Sequence, residues 1–151
     1  MNKVLEAMKE RRSIRSFKSD AVPQELLDQI MEAGLYAANG RGSQNTIIIQ
    51  VTKKSVRDEI AEMNRKIGGW DEGFDPFYGA PAMLIVLGKK DWPTHVYDGS
   101  LVMGNLMLAC HELGLGSCWI TSRTATETTA LPLLQRASSQ IWHSRTLRWI
   151  R

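Results

Sequence analysis

"VYDGSLVMGNLMLACHELGLGSCWI", residues 96–120, is the stretch that sets the architecture. Its first nineteen residues read as one long helix, 96–114. Apolar residues surround more than one face of it, which a lone surface helix would not need. A buried core helix and a helix in a subunit interface both give that pattern. Gly114 supplies the stop, because glycine accepts the left-handed conformation that ends helices. Gly104, inside the helix, costs about 1 kcal/mol relative to alanine. Close approach of another helix is one reason to tolerate it. "LGSCWI", 115–120, then reads as a strand.

The upstream chain alternates between the two periods. Val4, Leu5 and Met8 predict a helix over 2–10. Pro23 suits a helix start, followed by Leu26, Leu27, Ile30, Met31 and Leu35 on one side. "ANGRGSQN", 38–45, is a loop by composition. "TIIIQVT", 46–52, and "AMLIVLG", 82–88, read as buried strands. Between them Ser55 and Asp58 resemble a capping box that would start a helix carrying Val56, Ile60, Met63 and Ile67. "GGWDEGFDPFYGAP", 68–81, is too long and irregular for a tight turn, and loops of that length are often functional.

The 151 residues suit one domain with a real core. An apolar fraction of 43% and a charged fraction of 23% are those of an ordinary globular protein. No apolar run approaches the ~20 residues that span a bilayer, and the mixed charge of "MNKVLEAMKERR" is not that of a secretory signal. Cys110 and Cys118 lack metal-ligand spacing and read as reduced thiols, so a cytoplasmic location is expected. The net charge of +3 is uneven: residues 1–120 carry 14 basic and 15 acidic side chains, whereas 121–151 carry five arginines and one glutamate. A general nucleic-acid surface is not indicated.

"RRSIRSFK", 11–18, concentrates cations after the first helix. A solvated helix end is one reading. A phosphate site is the other, since Arg11, Arg12 and Arg15 with Ser13 offer the forked donors that a phosphate monoester takes. No catalytic triad is evident: His95, His111 and His143 are isolated, and Asp71, Glu72 and Asp75 make no metal pattern with them. Trp70, Phe74, Phe77 and Tyr78 would either line a site for flat molecules or simply pack.

RRSIR, "VPQELLDQIMEAGLYAA", a loop ending in Gln44, "TIIIQV", "DPFYGAPAMLIVL" and "DGSLVMGNLMLACHELGLGSCWI" occur in that order. Together the arrangement resembles the FMN-dependent nitroreductase family over residues 3–120. The resemblance implies an α+β fold with a mostly antiparallel sheet flanked by helices, and a homodimer with the 96–114 helix in its interface. It implies FMN as cofactor, NAD(P)H as reductant, and a nitroaromatic, quinone or similar flat acceptor. Hydride would move from the nicotinamide to the flavin and then to the acceptor, with the cofactor doing the difficult step and no catalytic side chain required. Arg11, Arg12, Ser13 and Arg15 would hold the phosphate and ribityl end. Asn39 and Gln44 would lie near the flavin ring, often that of the other subunit, although Asn39-Gly40 also reads as a plain turn. A dehalogenase-type reductase and a flavin-binding protein without turnover are the alternatives.

Residues 121–151 depart from the family. The family continues with a helix, a glycine-containing strand and a basic segment that add contacts to the flavin, and "TSRTATETTALPLLQRASSQIWHSRTLRWIR" resembles none of them. The expectation is an incomplete flavin-binding domain over 1–120 and an atypical tail that is not a separate domain. Weaker FMN binding follows from it, with tail residues such as Leu131, Ile141 and Trp142 left to cover a sheet edge.

Overall fold

The computed structural model describes residues 2–121 and 141–143. Its centre is strand β1, Thr46–Val51, which runs antiparallel to β2, Met83–Gly88, on one side. On the other side it pairs antiparallel with the short β3, Ile141–His143, in the register Ile47 to His143 and Ile49 to Ile141. The order is β2-β1-β3. Helices α1, Lys3–Glu10, α2, Gln24–Leu35, α3, Lys54–Gly68, and α4, His95–Glu112, complete the described elements. Helices with a small antiparallel sheet make the fold α+β. Expectations for the rest of the tail lie outside the described residues; at 141–143 the backbone does add to an edge of the sheet.

Side chains alternate across β1, and each face is covered by different helices. Ile48 is fully buried against Leu27, Ile30, Met31 and Leu35 of α2 and Val102 and Leu106 of α4. Ile49 and Val51 pack on Val56 of α3. The amide residue on this strand, Gln50, is buried but exchanges amide hydrogen bonds of 2.9 and 3.0 Å with Gln24 at the start of α2. α2 lies so close to its neighbours that a Cβ on Gly34 would stand 2.6 Å from Leu106 and 2.9 Å from Ile48.

Three sequence expectations need correction. Among the described residues, 115–120 form no strand but a single parallel bridge from Ser117 to Ser13, because a strand needs a continuous partner and not just an apolar run. Ser55 is not a cap. α3 starts two residues earlier, with Lys53 as its N-cap and no side-chain capping bond, and Asp58 pairs instead with Lys54 and Arg57. The close approach expected at Gly104 occurs at Gly34, while a Cβ on Gly104 would meet open space. Pro23 starts the second helix as expected, standing as its N-cap. The stop at Gly114 is as expected, with φ of +74°.

Candidate functional site

The basic cluster sits at the end of α1. Arg11 is the C-cap residue, its N–H donating to the Ala7 carbonyl at 2.9 Å. Arg12 turns its Nη1 back to donate to the carbonyls of Lys9, 2.6 Å, and of itself-preceding Arg11, 2.9 Å. A cation over the last carbonyls of a helix satisfies acceptors that the helix leaves open. Arg11 differs: its Nη1 is buried and has no hydrogen-bond partner. A buried donor left unmet costs about 1–3 kcal/mol, more when it is charged, and an anion placed there would recover it. Ser13 and Arg15 are exposed, and the Ile14 N–H donates to the Ser117 carbonyl at 3.0 Å, tying this segment to the chain after α4. The α1 end lies beside the C-terminal end of α4, where Glu10 stands 4.0 Å from His111.

Asn39 and Gln44 lie at the other end of α4. The loop between α2 and β1 contains a single 3-10 turn, Gly40–Gly42. Asn39 Oδ1 accepts from the Gln44 N–H at 3.0 Å, and its Nδ2 donates to the Ala37 carbonyl at 3.4 Å. Arg41 and Gln44 both have positive φ, 57° and 54°, unusual for residues with side chains. Ser43 Oγ and Asn45 Nδ2 are buried without partners. The structure thus keeps Arg11, Arg12, Ser13 and Arg15 on one segment after α1, and joins Asn39 to Gln44 by a hydrogen bond. Asp98, which binds this loop, and His111, beside the other cluster, are thirteen residues apart on α4, or roughly 20 Å at helical rise.

Sequence reading missed the group that holds this loop. Asp98, in the first turn of α4, is 2% exposed. Its Oδ1 accepts from the Gly40 N–H at 2.8 Å and its Oδ2 from the Thr94 hydroxyl at 2.9 Å. The available signal was an acid within an apolar helix, since buried carboxylates are rare without partners.

The aromatic loop is pinned separately. Arg57 of α3 reaches through an ion pair to Asp75, donates from Nε to the Ala80 carbonyl at 3.2 Å, and lies over the Phe77 ring. Asp75 also accepts from the N–H groups of Phe77, 2.9 Å, and Gly79, 2.8 Å. Burial pushes the Asp75 carboxyl up, but the Arg57 guanidinium and these two N–H groups outweigh it and leave its pKa lowered. Phe77 and Tyr78 line an apolar cleft of 1380 Å³ that also takes in Ile14, Met63, Met103 and Cys110. Trp70 and Phe74 lie outside it and contact each other, with ring centroids 5.4 Å apart. Among the described residues no cluster of His, Cys, Asp or Glu could hold a metal ion. None of their helices is long and apolar enough to cross a membrane.

A family model, described as the nitroreductase family, matches residues 8–131. The chain belongs to the nitroreductase family. The match passes beyond residue 120, further than the motifs alone carry. A Bacillus subtilis protein named FMN reductase (NAD(P)H) is 38% identical over 135 residues, covering 78% of this chain and 53% of that protein. A nitroreductase from Bacteroides fragilis, solved with bound FMN, has 26% identity and a TM-score of 0.84 over 93% of this chain and 82% of that one. An FMN-dependent nitroreductase from Clostridium difficile has 27% identity and a TM-score of 0.72 over 92% and 82%. The chain spans between 53% and 59% of the length of the curated relatives it matches.

Proposed function

We propose that this nitroreductase-family chain binds FMN and works as an oxidoreductase, taking reducing equivalents from NAD(P)H and delivering them to a flat acceptor such as a nitroaromatic or a quinone. The observation that carries this reading is the buried, unpartnered Nη1 of Arg11 at the head of RRSIR. A phosphate is the dianionic group that such a forked donor fits. The names of the relatives, which include FMN and NAD(P)H, support the same reading.

When bound, the flavin would supply the two-electron chemistry. The chain's own residues would bind and orient it. Arg11 and Arg15 would neutralise the phosphate, Ser13 would add a hydroxyl donor, and Arg12 would hold the helix end that places them. Asn39 and Gln44 would present polar groups to the ring from a second loop. The two groups sit toward opposite ends of α4, which supports their serving different flavins, each site completed by a second copy of the chain. The exposed Tyr97 and Leu101 of α4 and Val4, Leu5 and Met8 of α1 are the apolar surface for such a homodimer. Residues 1–120 would form the flavin-binding domain, with the tail joined to it through β3. Free thiols at Cys110 and Cys118 support a cytoplasmic setting.

The test is Arg11→Ala, titrated with FMN and with riboflavin by flavin fluorescence. Loss of a charge-assisted contact worth about 1.5–3 kcal/mol should weaken FMN binding by roughly ten- to a hundredfold and leave riboflavin unchanged. Equal affinity of wild type and variant for FMN rules the phosphate role out.

A further inference from the structure

We propose that Asp98 is the positioning residue of the flavin-ring loop: a buried tether that fixes residues 39–45 in the one conformation able to present Asn39 and Gln44. The ring contact rests on the proposed flavin reading; the tether itself rests on geometry.

Three contacts converge on the start of the loop. The Gly40 N–H donates to Asp98, and Thr94, one turn earlier on the same helix, donates its hydroxyl to the other carboxylate oxygen. The Gly40 backbone is pressed onto Thr94 so tightly that a Cβ there would stand 2.3 Å from the threonine hydroxyl. One residue on, the Arg41 guanidinium lies 5.9 Å from the centre of the Trp92 ring. All three partners, Trp92, Thr94 and Asp98, belong to α4 or its entry.

The loop's own turn bonds, Ser43 N–H to the Gly40 carbonyl and Gln44 N–H to Asn39 Oδ1, close it on itself, and the contacts with Trp92, Thr94 and Asp98 fix it to the helix. Arg41 and Gln44 both adopt left-handed backbone, which costs a residue with a side chain of order 1 kcal/mol or more and persists only where surroundings impose it. The Gln44 turn is closed by Asn39 Oδ1, so the positions of the two ring-facing residues are coupled: moving Gly40 moves both. A carboxylate suits the task because it accepts two hydrogen bonds at once, from a backbone amide and a hydroxyl, and its place in the first turn of α4 is favoured by the helix dipole. No acid is needed there for folding of an apolar helix, and burying one is costly unless its partners are in place.

The arrangement separates two kinds of flavin contact. Changes at Arg11 act on the phosphate alone. Changes at Asp98 act on the ring, which FMN and riboflavin share. Asp98→Ala removes the tether. Asp98→Asn keeps an acceptor for the Gly40 N–H and should rescue. Gly40→Ala dislodges the loop by collision with Thr94 while the carboxylate stays, so the proposal does not depend on whether Asp98→Ala folds. Arg41 is exposed and provides a reporter, since trypsin cuts after it only when the loop can leave its place.

Limited trypsin digestion of the purified full chain, read by mass spectrometry, and titration with FMN and riboflavin are the measurements. In Asp98→Ala and Gly40→Ala, cleavage after Arg41 should be at least ~10-fold faster than in wild type, and affinity for both flavins should fall by one common factor, with Asp98→Asn close to wild type on both readouts. Wild-type cleavage rates in both variants overturn the tether. Faster cleavage with unchanged affinity for both flavins overturns the positioning role. A loss confined to FMN also overturns it, because that marks the phosphate end. If wild type takes up neither flavin, the flavin function fails, and the ring role with it, whereas the cleavage ratio still decides the tether.

Discussion

Arg57 is the most informative residue to remove. Arg57→Ala deletes a side chain that is 10% exposed and that joins α3 to the aromatic loop. The ion pair with Asp75 is charge-assisted and worth about 1.5–3 kcal/mol. The Ala80 carbonyl loses its donor, for about 1 kcal/mol more. The contact over Phe77 adds about 0.5–1 kcal/mol. The contact with half-exposed Asp58 adds little. Asp75 keeps its bonds from the Phe77 and Gly79 N–H groups, so it is not orphaned. The expected loss is about 3–5 kcal/mol, a fall of roughly 1.5–2.5 M in the urea midpoint at an m-value near 2 kcal/mol/M. A cycle with Asp75→Asn should give a coupling of at least ~1.5 kcal/mol. The folded Asp75 carboxyl has a lowered pKa, so its contribution is present above its ordinary value of 3.8 and is lost as pH falls through the folded one. The gap between wild type and Asp75→Asn should therefore hold at neutral pH and close at acid pH. A coupling under ~0.5 kcal/mol at pH 7, or a gap that widens in acid, refutes the reasoning.

Gly34→Ala forces a methyl group against Leu106 and Ile48 and should cost about 1–3 kcal/mol, seen as a melting temperature lower by roughly 2–4 °C per kcal/mol; an unchanged melting curve contradicts the close packing. Leu101→Arg places a cation on the exposed apolar side of α4 and should convert a dimer to monomer in sedimentation velocity, while a monomeric wild type disposes of the interface. Burial pushes the Cys110 thiol up to about 11, so at pH 8 roughly a thousandth of it is thiolate against about a quarter of an ordinary thiol. In Cys118→Ser, Cys110 should react with a disulfide reagent on the order of a hundredfold more slowly than a free thiol; an ordinary rate shows that the burial is wrong.

Local patterns were enough to find the elements that cover a buried face. The run around Ile48 announces itself by its β-branched residues, the buried side of α2 by its period, and Gly114 by its backbone freedom. What failed was everything that depends on a partner distant in sequence. "LGSCWI" has the residues of a strand but, among the described residues, no strand neighbour beyond Ser13, and pattern alone cannot supply one. Ser55 and Asp58 have capping-box spacing, yet Asp58 has two cations nearer. The arginine cluster was visible at once, but its division of labour was not. Arg12 spends itself on the helix end and Arg11 is left with a free donor because of how α1 terminates. Asp98 and Gly40 are 58 residues apart, so their bond leaves no local trace.

β1 is flanked by a strand made soon after it and by one made much later. About ninety residues separate Val51 from Ile141, or roughly 5–18 s of synthesis at 5–20 residues per second. During that interval a nascent chain can zip β1 to β2 and bury Ile48, but the other side of "TIIIQV" still shows unpaired amides and carbonyls. A β-branched, uncharged edge of that kind recruits other chains. The hazard is thus greatest on the ribosome, and it scales with how slowly the message between β2 and β3 is read. Slower elongation through that region should raise the aggregated fraction without altering the stability of the finished protein.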